Sequence, residues 1–166
     1  MSYLAQILAQ KPTVSCYDIW DAIRERHFRD DPAPDDETYW RRVLDLSPGE
    51  RAVMLAMRFS EQVHNGGFLQ FLDNGGFSYA RATAEGLERL GFSEMAKFLR
   101  RAIEMAQIPD PVPPDYWFRD LLPEEGGVDY GAVFGQFDTE FYDAYTNRDW
   151  EERITAYVRE HPEEFL

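Results

Sequence analysis

Apolar residues recur at helical spacing along nearly the whole chain, and strand-like alternation is absent. Ser15 followed by Asp18 is a capping box, after which Ile19, Trp20, Ile23 and His27 share one face, with His27 at its packing edge. Asp30 to Glu37 is a proline-containing acidic loop, and Asp35 or Asp36 caps a short helix through Tyr39, Trp40, Val43 and Leu44. Ser47-Pro48-Gly49-Glu50 predicts a helix start: Ser caps, Pro takes the first helical position, and Glu reaches back. The stretch that follows (Val53, Met54, Leu55, Ala56, Met57, Phe59, Val63) is apolar nearly all round, as a central buried helix would be.

The pattern Asn-Gly-Gly-Phe then occurs twice, in Asn65-Gly66-Gly67-Phe68 and Asn74-Gly75-Gly76-Phe77. Glycine accepts the left-handed backbone that ends helices, so each copy predicts a stop, with about two helical turns between them. Phe68, Phe71 and Phe77 are then core residues, and Glu61 and Gln70 are the nearby polar side chains expected to satisfy the turn's backbone groups. Tyr79 to Leu90 is helical and closed by Gly91. Ser93 opens a further helix whose outer face carries Lys97, Arg100 and Arg101. Four prolines between Ile108 and Asp115 exclude regular helix there. Tyr116 to Leu122 reads as a short aromatic helix or turn, and Tyr130 to Tyr145 and the stretch around Trp150 to Val158 as two more helices. The expected fold is all-α: one compact domain over residues 1–166 with about seven to nine helices, a core at 48–106 and an acidic C-terminal part at 107–166.

Charge changes this picture. The formal net charge is −14. Residues 1–50 carry ten acidic and six basic side chains, residues 51–106 six and seven, and residues 107–166 fifteen and four. The middle is neutral and the last third holds most of the acid. Such a field repels nucleic acid and anionic lipid and favours basic partners. The one cysteine, Cys16, excludes an internal disulfide and a cysteine-based zinc site. With no signal peptide at Met1 to Gln6 and no apolar run near the roughly 20 residues that span a bilayer, a cytoplasmic setting is expected.

Glu61 ahead of Asn65-Gly66-Gly67-Phe68, Gln70-Phe71 directly after, and then Asn74-Gly75-Gly76 resemble the core of a bacterial family of DNA-mimic proteins. The Leu90-Gly91 helix end, the helix from Met95 to Ala106, and Phe137-Asp138, Phe141-Tyr142, Tyr157-Val158 and His161 to Phe165 extend the resemblance over about residues 40–166. It implies an all-helical acidic protein, often a homodimer. It also implies a mode of action in which surface carboxylates imitate DNA phosphates and occupy a DNA-binding regulator. Glu61, Asn65, Gly66, Gly67, Phe68, Gln70, Asn74, Gly75 and Gly76 then carry the family motif as scaffold.

The candidate partner face consists of Asp30, Asp31, Asp35, Asp36 and Glu37 in the first loop. It continues with Asp110, Asp115, Asp120, Glu124, Glu125, Asp129, Asp138, Glu140 and Asp143 in the last third. B-DNA carries one charge per ~1.7 Å of axis, and carboxylates of comparable density can compete for the same basic site. The plainer reading of the same acid is solubility. A backbone nest for an anion at the doubled glycines is the functional alternative to two helix stops.

Glu61-x-x-His64 has the spacing of half a carboxylate di-metal site, but a second such motif is missing. No serine nucleophile motif or phosphate loop occurs, so no catalytic residue, metal or cofactor is expected. The expected function is to occupy the basic surface of a DNA-binding protein such as a transcriptional regulator, without direct contact to nucleic acid or membrane. Two alternatives stand beside it: an immunity-type inhibitor of a nuclease toxin, and a small-molecule or metal-dependent enzyme using Glu61, His64 and Gln70.

Overall fold

The computed structural model describes residues 3–4, 14–30, 36–113, 130–144 and 147–165. Among them there are seven α-helices and no strand: α1 (Cys16–Phe28), α2 (Asp36–Leu44), α3 (Pro48–Asp73), α4 (Ala80–Arg89), α5 (Ser93–Met105), α6 (Tyr130–Ala144) and α7 (Asn147–Glu160). Two 3₁₀ turns, Gly76–Tyr79 and Pro162–Glu164, complete the regular structure. The expected all-α class is what the chain forms. Tyr116 to Leu122 lies outside the described residues.

The predicted starts are met in different ways. At α1 the Ser15 hydroxyl accepts from the Asp18 amide at 3.1 Å, and the Ser15 amide donates to the Asp18 carboxylate at 3.0 Å. At α3, Ser47 is the N-cap residue but its side chain makes no cap hydrogen bond. Its hydroxyl is instead shared between Glu50 Oε2 at 2.7 Å and the Glu164 carbonyl at 2.6 Å. The terminal turn thus takes the hydroxyl that a capping box would have used.

Helix α3 is the axis of the molecule. Ala52, Val53, Met54, Leu55, Ala56 and Met57 are consecutive and all buried. A helix apolar on every side needs cover on every side, and α4, α6, α1, α2 and the terminal 3₁₀ turn supply it. The core therefore reaches beyond residues 48–106: Ile19, Ile23, Trp40, Phe134, Phe141, Ile154 and Phe165 join the same buried cluster. Each such side chain contributes about 1.5–3 kcal/mol by leaving water. Helices α3 and α4 approach closely at Gly86, where a Cβ would stand 3.0 Å from the Ala52 Cα. Arg81 holds the start of the proline run, donating to the Ile108 carbonyl at 2.7 Å and the Pro109 carbonyl at 3.3 Å.

Candidate functional site

The doubled glycine motif and the acidic residues meet at one place. The helical run of α3 carries through the first Asn-Gly-Gly to Asp73, broken internally at Gly66 (φ −170°, ψ 23°) and Gly67 (φ 79°, ψ −176°). The second copy is a true end: Asn74 is the C-cap and Gly75 has φ 86°. Phe68, Phe71 and Phe77 are buried, as predicted.

A helix break strips intrahelical partners from carbonyls before it and amides after it. Helix α6 supplies two replacements. Tyr142 Oη donates to the Val63 carbonyl at 2.6 Å, and the Phe68 amide donates to Asp138 Oδ1 at 2.7 Å. Residues 138 and 142 are one helical turn apart, so one face of α6 staples both sides of the break. Asp138 also lies where a Gly67 side chain would have to go. Burial pushes the Asp138 carboxyl above its ordinary range, and the Phe68 amide pulls it partly back.

Asp138 is thus a remote cap, half-buried, and not part of an exposed face. The helical stripe Phe134, Phe137, Phe141 runs beside it, and that periodicity was the available signal that residue 138 turns inward. Glu61 and Gln70 do not satisfy the break in the way expected. Gln62, a buried residue without a motif signature, accepts from Asn74 Nδ2 at 2.6 Å and Gln70 Nε2 at 3.3 Å, which ties the second Asn-Gly-Gly to the first. Glu61 sits half-buried between helices, raised above the usual carboxylate range by that burial, with Arg58 and then Arg24 opposing the shift. His64 Nδ1 lies 2.7 Å from the Ser60 carbonyl, and its ring packs 5.1 Å from Phe141 and 5.7 Å from Tyr142.

The other predicted face residues separate. Glu37 pairs with Arg41 at 2.6 Å, Asp110 with Arg81 at 3.3 Å and Glu140 with Arg101 at 3.7 Å. Asp30 and Asp143 are exposed and form no ion pair among the described residues. Asp36 is the first residue of α2. Asp31, Asp35, Asp115, Asp120, Glu124, Glu125 and Asp129 lie outside the described residues. Exposed ion pairs of this kind contribute about 0–1 kcal/mol each.

Two charged groups take roles beyond those the sequence reading assigns. Glu50 is a buried carboxylate, bonded at 3.0 Å to His27 Nε2 as well as to Ser47. His27 is therefore more than a packing residue: it is the polar partner of a core acid. The side chains of His161, Glu163 and Glu164 bring their ligand atoms within 4.8 Å of one another. Yet the Glu164 carboxylate already accepts from Arg89 Nη1 at 2.7 Å and Tyr157 Oη at 2.7 Å. A guanidinium beside the group repels a metal cation, so these contacts act as a lock for the terminal turn. The groove next to it, about 580 Å³, is lined by Arg51, Arg89 and Arg100 against Glu85, Glu88 and Glu164. That lining offers matched opposite charges and no isolated acid–base pair.

Fold and surface together define an acidic all-helical protein, with no described helix long and apolar enough to cross a membrane. The chain belongs to the DMP19-like protein family, whose model matches residues 44–161, a span that contains both Asn-Gly-Gly-Phe copies. This is a family of DNA-mimic proteins and not a known enzyme family. No significant match is found among curated proteins or solved structures.

Proposed function

We propose that this protein acts as a DNA mimic that occupies the basic DNA-binding surface of a partner such as a transcriptional regulator, in the cytoplasm and without chemistry of its own. The observation that carries this reading is an asymmetry in how charge is used. Arg24, Arg26, Arg29, Arg41, Arg42, Arg51, Arg58, Arg81, Arg89, Lys97, Arg100, Arg101 and Arg153 each hold a carboxylate, a backbone carbonyl or an aromatic face. By contrast Asp30, Asp45, Glu85, Glu104, Asp143, Glu151 and Glu160 are exposed and form no ion pair among the described residues. Cations are committed internally while surplus carboxylate faces outward. Among the described residues a polyanionic ligand meets no cluster of unengaged cations, and a basic protein meets acceptors that are ready to pair. Membership in a family of DNA mimics gives the acid its direction.

Competition is the direct test. The full chain is immobilised, partners are captured from a bacterial lysate at low salt, and duplex DNA or NaCl is added. Captured proteins should be DNA-binding proteins, released by duplex DNA and lost steeply with salt as counterions compete. Yields that are indifferent to both duplex DNA and salt would exclude the reading.

A further inference from the structure

The groove beside the terminal 3₁₀ turn holds about 580 Å³, within the roughly 300–1,000 Å³ of small-molecule sites. Small residues leave this space: Ala52, Ala82 and Gly86 line it, where α3 and α4 approach closely. Its charged lining divides into groups already used and groups with capacity to spare. Both oxygens of Glu88 are taken, Oε1 by Ser93 at 2.7 Å and Oε2 by Arg100 at 2.9 Å. Both oxygens of Glu164 are taken as well, by Arg89 and Tyr157. Glu85 is exposed and has no ion pair or hydrogen bond among the described residues. Its local partner would be Arg89, one helical turn on. The terminal turn draws that guanidinium to Glu164 and Tyr157 instead. Arg51, Arg89 and Arg100 each bond through Nη1 alone, Arg51 to the Leu44 carbonyl at 2.9 Å. Their other N–H donors make no hydrogen bond among the described residues.

We propose that this groove binds a small zwitterion of the α-amino-acid type, its carboxylate on the spare arginine donors and its ammonium on Glu85. Spacing and field select that class. Residues one helical turn apart have Cβ atoms about 5–6 Å from each other, so one small molecule reaches both Glu85 and Arg89. A net charge of −14 opposes entry of a free anion, whereas a zwitterion brings no net charge. A lone cation would meet three guanidiniums. Arg89 is fixed by Tyr157 and Glu164 before any ligand arrives, so little side-chain freedom is left to lose on binding. The site stands whether or not the acidic surface grips a basic protein.

Thermal scans of the full chain test this, with each L-amino acid of uncharged side chain at about 10 mM, and acetate and ethylamine as single-charge controls. A ligand with a Kd of about 1 mM should raise the melting temperature by about 3 °C or more at that concentration. At least one amino acid should do so, and neither control should. Calorimetric titration of that amino acid then reads the variants. Glu85→Gln removes an exposed carboxylate without a partner, so the fold should stand while affinity falls about fivefold or more. Arg100→Gln should weaken binding about threefold or more. Glu104→Gln, at an exposed carboxylate of α5 outside the groove, should change it less than about twofold. If no amino acid stabilises the native protein, or if Glu85→Gln and Glu104→Gln act equally, the site is overturned. Acetate that stabilises as well as the amino acid does, undiminished by Glu85→Gln, would make the groove a simple anion site and overturn the zwitterion.

Discussion

Asp138 shows how little a side chain's type says about its role. It belongs by composition to the acidic C-terminal third, yet its oxygen caps an amide 70 residues away. Because its folded-state pKa is raised, the folded chain binds its proton more readily than the unfolded chain does. Its contribution to stability is thus largest at low pH and is lost as pH rises from its unfolded value through its folded one. Asp138→Asn keeps an acceptor for Phe68 without a buried charge. It should lie within about 1 kcal/mol of the native protein at pH 7, and its standing relative to native should worsen as pH falls toward the carboxylate range. Asp138→Ala should lose about 1–2 kcal/mol at pH 7 by leaving the Phe68 amide without a partner. Urea midpoints at pH 7 and pH 4 check both. An alanine variant as stable as the asparagine one would mean that the cap contributes nothing.

Helix α3 is one element in extent and two in backbone geometry, and its two central glycines are not equivalent. Gly67 has positive φ and faces the Asp138 carboxylate; Gly66 has φ near −170° and faces the Gln70 side chain, whose amide end is closest and whose Cβ is 3.1 Å from where a Gly66 Cβ would stand. Gly67→Ala should therefore cost about 2 kcal/mol or more, from backbone strain together with displacement of the cap. Gly66→Ala should cost less, about 1 kcal/mol, since the Gln70 amide can swing aside at the expense of its long bond to Gln62. Denaturant midpoints that fall equally for both would contradict this geometry. The caps and periods that define α1, α3, α4 and α5 were readable along the chain because a helix is built from neighbours within four residues. Ser47 takes the N-cap position as expected, and only the bonding of its hydroxyl lay beyond such local rules. Its distant acceptor, the Glu164 carbonyl, is 117 residues away, and no local pattern signals it.

Across the whole molecule, a net charge of −14 works against compactness even as it suits a basic partner. The screening length falls from about 30 Å at 0.01 M salt to about 8 Å at 0.15 M. Self-repulsion between unpaired carboxylates fades over that range, while the buried contacts of Glu50 are screened little. The melting temperature should rise by a few degrees between those two NaCl concentrations, about 1 kcal/mol for a chain of this size. A flat or falling melting temperature in a thermal scan would mean that the surface ion pairs outweigh the repulsion.

The order of the helices, the all-α class, the central place of α3 and the acidic balance all follow from local rules acting on the chain: period, capping, glycine and proline chemistry, and charge count. Those rules operate over a few residues and need no fold to apply. The fate of each carboxylate follows a different rule, because a charge takes its role from whatever comes within about 4 Å of it. Folding assigned Glu50 to His27, Glu164 to Arg89 and Tyr157, and Asp138 to the broken middle of α3. It left Asp143 and Glu151 exposed, an outcome set by helix packing across long stretches of chain.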